Sequence, residues 1–342
     1  MPAAARVGDG PGRPAERGAV KDVGLAETLR SRLRLPLIAA PMFRASGPEL
    51  VRAACAAGII GAFPTANART VDELDEWLAR LDGAVAPGQA PYAVNLIIRQ
   101  KRLGDDLACL ERHQVEVVIT SVGSPEPVLD RLHALGAVVL ADVATLRHAR
   151  RAVELGADGL VLLSAGAGGQ TGWANPFAFV RAVRRFFDGP VVLAGGISDG
   201  RALRAAEVLG CDLAYMGTRF IAAHESMASP EYKRMLVDCG LDDIVLTRAF
   251  TGLPTSMLAP AIRAAGLDPG RLDEGATPEE ATQVYGGPGP GLTPGHWVDT
   301  WSAGHSVSGV DAVESVADIV DRVSKEFEEA GGVVAAGPSG PG

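Results

Sequence analysis

Residues 136–166 read GAVVLADVATLRHARRAVELGADGLVLLSAG. Two apolar runs, GAVVLADV (136–143) and DGLVLLSAG (158–166), bracket a stretch with helical spacing, ATLRHARRAVELG (144–156), that stops on a glycine. A short run of Val, Leu and Ala without polar alternation reads as a parallel strand buried on both faces. Strand, helix and strand at this length form the repeating unit of an α/β fold. The same unit recurs in both directions. The runs PLIAAP (36–41), IIGAFP (59–64), YAVNLII (92–98), VEVVITSVG (115–123), GPVVLAGG (189–196) and CDLAYMG (211–217) bring the set to eight. Helical spacing returns in SGPELVRAACAAG (46–58), in TVDELDEWLARL (70–81), which opens on a Thr70–Glu73 capping box, and in DGRALRAAEVLG (199–210). Eight strands with helices between them, and Gly-rich turns gathered late, predict an α/β protein with a (β/α)8 TIM barrel. A doubly wound open sheet is the structural alternative.

The remaining sequence bounds the function. The 342 residues carry 32 basic and 41 acidic side chains, a net charge of -9. That balance argues against a nucleic-acid partner and leaves a small molecule as the expected one. No apolar run approaches the roughly 18 residues of a membrane span, and the N-terminus lacks the apolar core of a signal peptide. Cys55, Cys109, Cys211 and Cys239 are far apart, as expected of buried thiols in a reduced, cytoplasmic protein. The Gly/Pro-rich ends, 1–25 and 331–342, are expected to be disordered tails. The barrel is expected over 26–225 and 307–330, closed by a helix over 310–330. Residues 226–306, with a helical piece (PEYKRMLVDCG) and a Pro/Gly stretch (YGGPGPGLTPGHW), form an expected insertion or lid over the barrel mouth. The six histidines show no metal-ligand spacing. His113, His133 and His148 fall on helix faces and are expected at the surface.

The ends of the last two strands of a barrel are the usual phosphate site. Here they read LAGGISDG (193–200) and YMGTRF (215–220), small residues that let backbone N–H groups reach an anion. Gly195, Gly196, Gly217 and Thr218 are therefore phosphate candidates, against the simpler reading of tight strand-to-helix turns. The loop SAGAGGQTG (164–172) should lie beside them, its glycines allowing backbone to approach a flat ring.

Seven segments occur in a telling order: APM (40–42), Asn95, AD (141–142), GAGGQTG (166–172), LAGGI (193–197), MGTRFIAAHES (216–226) and WSAGHS (301–306). With them the chain resembles, from about residue 34 to about residue 327, the flavin-dependent nitronate monooxygenases (formerly 2-nitropropane dioxygenases) and their relatives, the flavin-dependent enoyl-ACP reductases. The resemblance implies non-covalent FMN at the barrel mouth. Pro41 and Met42 would lie against the isoalloxazine ring and Asn95 would bond its polar edge. Gly168 and Gly169 would line the ring and ribityl chain, and Gly195, Gly196, Gly217 and Thr218 would hold the phosphate. Asp142 would hold ribityl hydroxyls or order the loop, or simply cap a neighbouring turn. The implied reaction oxidises an alkyl nitronate with O2 to a carbonyl compound and nitrite, without metal; a homodimer is the assembly left open.

Two positions depart from the family pattern. Gln170 stands where the family usually has His, and an amide donates a hydrogen bond but takes no proton near neutral pH. The late segment usually reads Ala-Gly-Gln-Gly and here reads Ala303-Gly304-His305-Ser306, so His305 is the candidate to bring an imidazole from the other side. Gln170 and His305 are thus the two catalytic candidates, with His224 a weaker one. The alternatives are an NAD(P)H-dependent enoyl-thioester reductase and a flavin-binding barrel without turnover. A dehydrogenase of the inosinate type would need a cysteine within 164–172, and there is none.

Overall fold

The computed structural model describes residues 22–272, 274–275 and 300–336. Eight parallel strands close on themselves: β1 (Leu37–Ala39), β2 (Ile60–Pro64), β3 (Tyr92–Ile97), β4 (Val117–Ser121), β5 (Val138–Val143), β6 (Gly159–Leu163), β8 (Val191–Ala194) and β9 (Leu213–Met216); β7 (Gly169–Gln170) lies outside the ring. β9 pairs back onto β1, Tyr215 opposite Ile38, which excludes the open sheet. Each strand sits within one of the eight apolar runs. Alternate side chains serve two cores. Ile38, Val117, Leu140, Val161 and Val192 fill the barrel, while Leu37, Val118, Val139 and Leu162 face the surrounding helices.

The helices begin and end on local chemistry. Thr70 Oγ1 accepts from the Glu73 N–H at 3.1 Å, but the Glu73 carboxylate reaches back to the Arg69 N–H, one residue before the capping-box position. Thr145 and Asp199 cap Leu146–Leu155 and Gly200–Leu209. Both helices stop on a left-handed glycine, Gly156 (φ 96°) and Gly210 (φ 111°).

The last outer helix is Val316–Ala336. It starts six residues later than the 310–330 pattern predicts and continues beyond residue 330, so part of the expected C-terminal tail is helical. Its start is set by Ser315, whose Oγ accepts from the Asp318 N–H at 3.1 Å. The preceding residues are engaged by Arg219, a buried side chain that donates to Gly309 O (3.1 Å), to Asp311 (2.8 Å) and to Glu314. The terminal helix then crosses Gly200 so closely that a Cβ there would stand 2.2 Å from Phe327 N. At the other end, the helix Asp22–Arg30 begins inside the stretch expected to be a tail.

The insertion holds more order than its sequence suggests. It contributes the helix Pro230–Asp238, β10 (Ile244–Thr247), β11 (Thr255–Leu258) and the helix Ala259–Ala264. β10 and β11 form an antiparallel pair, and β11 pairs in turn with β7. The Pro/Gly stretch 285–297 lies outside the described residues. The four cysteines are buried thiols, and no helix among the described residues is long and apolar enough to cross a membrane. His113 is not a free surface residue: its ring lies between Asp82 (2.7 Å) and Asp75 (3.2 Å).

Arg219 ties the insertion's return to the barrel, so its loss is a test of the fold. Arg219→Met removes the buried cation, leaving Asp311 and Glu314 to Arg322 and the Gly309 carbonyl without its donor, and should cost about 1–3 kcal/mol. A urea titration should show a lower midpoint with an unchanged slope.

Candidate active site

The C-terminal ends of the strands carry nearly all the predicted residues to one mouth, and each loop is held by a separate device. After β1 the chain turns sharply at Met42. Its N–H donates to Ser46 Oγ (3.0 Å), and its carbonyl accepts from the Asn67 side chain (2.9 Å). Asn67 also accepts from the N–H of Arg44, a residue with φ 59°. Pro41 and Met42 are partly exposed in this turn. Met42 also meets the end of β9: a Cβ on Gly217 would stand 3.6 Å from its sulfur.

The loop after β6 is pressed against two other segments. Gly195 (φ 123°) passes under it, and a Cβ there would lie 2.5 Å from Ser164 Oγ and 3.1 Å from Ala167 N. Above, residues 303–305 cross backbone to backbone. A Cβ on Gly304 would lie 2.6 Å from Gly166 O, and one on Gly168 would lie 2.8 Å from Gly304 N. The His305 N–H donates to Gly166 O (2.9 Å), and the Gly304 N–H donates to Thr218 Oγ1 (3.0 Å). Thr218 is buried under this crossing, so its hydroxyl already serves the loops. Gly196 is different. It is exposed at φ 77°, with nothing within 4 Å of where a side chain would stand. Its backbone is therefore open to a ligand.

Gln170 is fixed by pairing rather than by its side chain. Its backbone stands opposite Thr255 in β11, and the next N–H, of Thr171, donates to Pro254 O at 3.0 Å. The Gln170 side chain is partly exposed and makes no hydrogen bond among the described residues. The His305 ring rests on Gly166, where a Cβ would come within 2.6 Å of Nδ1. The two candidates therefore lie on loops that touch. His224 is not part of this group by its side chain, which is exposed; its N–H donates to Glu314 O at 2.8 Å.

Below the loops lies a polar row. Asn95 is buried and engaged at both ends: it donates to Ile119 O (3.3 Å) and accepts from Ser121 Oγ (3.2 Å). Asp142, on β5, follows inward-facing Leu140 by two residues and so shares its face. Its Oδ1 is sealed from solvent with no partner, as is the hydroxyl of Tyr215 on β9. Burial raises the Asp142 carboxyl to about 7 and the Tyr215 hydroxyl well above its ordinary value, with the Asp142 charge a lesser contribution at Tyr215.

Sequence reasoning missed Tyr215, Ser121, Asn67 and the 303–305 crossing. The only signal for Tyr215 was a polar tip inside an apolar strand; for the crossing it was the small-residue pair Ala303-Gly304 within WSAGHS (301–306).

These features suit a flavin: an open Gly196 backbone for a phosphate, a wall of glycines that admits a flat ring, and unpaired polar atoms on the floor. A sequence model of the nitronate monooxygenase family matches residues 28–264, and the chain belongs to that family. It is 30% identical over 226 residues to the (3aS,4S,5R,7aS)-5-hydroxy-7a-methyl-1-oxo-octahydro-1H-indene-4-carboxyl-CoA dehydrogenase of Mycobacterium tuberculosis, a match over 65% of this chain that spans only 62% of that protein. It is also 30% identical over 291 residues to a nitronate monooxygenase of Paraburkholderia phytofirmans, covering 72% of this chain and 78% of the relative. Among solved structures it resembles FabK from Thermotoga maritima, with a TM-score of 0.75 at 26% identity over 93% of this chain and 99% of that one.

The buried carboxyl makes a stability prediction for the flavin-free protein. Asp142 titrates near 3.9 when unfolded and at about 7 in the fold, so its stabilising protonated form is lost as pH rises from 4 through 7. Asp142→Asn should be equal to wild type near pH 4 and more stable above pH 7, by on the order of 4 kcal/mol. Denaturant titrations at the two pH values measure the difference.

Proposed function

We propose that the chain binds FMN at this mouth and oxidises a small substrate that arrives already deprotonated, an alkyl nitronate or a similar stabilised anion, with O2 as the final acceptor. The observation that carries this reading is Gln170. It stands on a strand-paired loop at the mouth, where the family usually places a titratable imidazole. An amide there can orient an anion by donating to it, and it cannot remove a proton from a neutral carbon acid. Loss of a general base typically costs about 10²–10⁴ in the step that needs it, and a nitronate does not need it.

In this reading Pro41, Met42, Gly168 and Gly169 border the ring, and Asn95 and Asp142 stand on the floor beneath it. The backbone at Gly195, Gly196, Gly217 and Thr218 receives the phosphate. FMN supplies two-electron acceptance from the substrate and reactivity toward O2. Gln170 binds and orients, and the crossing of 303–305 over 166–168 shields the site from water on one side. His305 stands close enough to the same loop to contribute a proton donor.

A second reading is favoured by one specific observation, the similarity to a carboxyl-CoA dehydrogenase. Here the substrate is an acyl thioester, whose enolate is also a stabilised oxyanion. Anaerobic mixing of the flavin-loaded protein separates the two. Bleaching by a preformed nitronate, with nitrite released in air, supports the first; bleaching only by an acyl-CoA or by NAD(P)H replaces it with the second.

Gln170→His should raise turnover of a neutral nitroalkane by about 10-fold or more and leave that of the preformed nitronate within about 3-fold. Equal effects on both substrates would remove the assigned role of Gln170.

A further inference from the structure

Cys109 lies in the last turn of the helix Leu103–Arg112, and His113 follows that helix with helical backbone angles. At this spacing their side chains share one face. The helix Val71–Asp82 packs on that face and brings two carboxylates to it. Asp75 Oδ1 stands 3.6 Å from Cys109 Sγ and 3.2 Å from His113 Nε2. One ligand atom from each of the three residues falls within 4.8 Å of the others. Cys109 is fully buried, the His113 side chain is largely buried, and Asp75 is half exposed, so solvent reaches the group from the Asp75 side.

These separations fit a metal ion. With metal–sulfur bonds of about 2.3 Å and metal–nitrogen or metal–oxygen bonds of about 2.0–2.1 Å, a tetrahedral ion holds sulfur about 3.5 Å from oxygen and nitrogen about 3.3 Å from oxygen. The far side of the ring is also arranged. Asp82 Oδ2 lies 2.7 Å from His113 Nδ1, and Asp82 Oδ1 accepts from the buried Tyr92 hydroxyl at 2.6 Å. Assigning the Nδ1 proton to the Asp82 contact leaves the Nε2 lone pair facing Asp75 Oδ1. Two acceptors then meet, and a cation between them resolves the conflict. A carboxylate behind the far nitrogen is the usual support of a metal-bound imidazole. A proton on Nε2 would bridge the ring to Asp75 alone. A metal ion engages the sulfur as well and takes the place of the thiol proton, which leaves to solvent. One group opposes it: Arg112 Nη2 lies 2.5 Å from the same Asp75 oxygen, on a side chain that is about half exposed and can turn outward. The spacing of the histidines alone does not reveal the site, because its ligands are of three kinds and Asp75 belongs to another helix.

We infer that Asp75, Cys109 and His113 bind one divalent cation of the zinc class, with water in the fourth position and Asp82 as the positioning residue behind His113. A thiolate, an imidazole and a carboxylate together select such an ion over magnesium or calcium. His113 precedes β4, at the N-terminal ends of the strands and opposite the mouth. The ion is therefore a clip between two outer helices and stands apart from the flavin site.

The test uses the tag-free, full-length chain stripped with EDTA. Calorimetry should show about one Zn2+ bound per chain, and zinc should raise the urea midpoint. Co2+ should give the visible bands of a tetrahedral site, beyond the flavin absorbance, with a sulfur-to-metal charge-transfer band. Cys109→Ala and His113→Gln should each weaken zinc binding about 100-fold or more, and Asp82→Asn about 10-fold or more. Arg112→Gln removes the competing cation and should tighten binding about 3-fold or more. Arg112 is exposed, so this variant tests the site even where a buried substitution fails to fold. No zinc bound by wild type, binding that survives Cys109→Ala, an octahedral cobalt spectrum, or weaker binding in Arg112→Gln would each overturn the inference.

Discussion

The contact on which the site depends is backbone against backbone. Residues 303–305 cross 166–168 at a distance that admits no side chain on Gly168 or Gly304. Two hydrogen bonds hold the crossing, His305 N–H to Gly166 O and Gly304 N–H to Thr218 Oγ1. Segments from three parts of the chain, the ends of β6 and β9 and the return of the insertion, are thereby locked into one wall. Each glycine costs conformational entropy on folding, and the close approach requires it. Arg219 supports the same junction from below, holding 309–314 against the end of β9 through a buried cation.

The electrostatics follow from what this wall and the barrel floor leave out. Interior side chains are apolar up to the last layer, where Asn95, Ser121, Asp142 and Tyr215 appear. Asn95 and Ser121 satisfy one another; Asp142 and Tyr215 do not. In a low-dielectric floor the carboxyl is driven toward its neutral form. At the rim, Gln170 can donate a hydrogen bond where the family pattern has a base that can accept a proton.

Legibility varied with the range of the interaction. The eight strands were readable because a barrel strand is buried on both sides, leaving an unbroken apolar run that its own composition declares. Helix limits were readable at Thr70, Gly156 and Gly210, where capping is local. The stretch before residue 316 was not readable, because Arg219, nearly a hundred residues away in sequence, holds residues 309–314 out of the helix. The sheet of β10, β11 and β7 was invisible for the same reason. Two residues, Gly169 and Gln170, become a strand only because β11 is there to pair with them.

By itself the sequence determined the barrel, the glycine-lined mouth and the chemical kind of each loop residue, including an amide at 170, because these rest on residue type and short-range pattern. The tertiary structure decided which of those residues meet. It set Thr218 under Gly304, rested the His305 ring on Gly166, kept the His224 side chain out, and left Asp142 Oδ1 and the Tyr215 hydroxyl buried without partners. Such outcomes depend on how strands and loops distant in sequence are brought within a few ångströms of each other, and no local pattern encodes those distances.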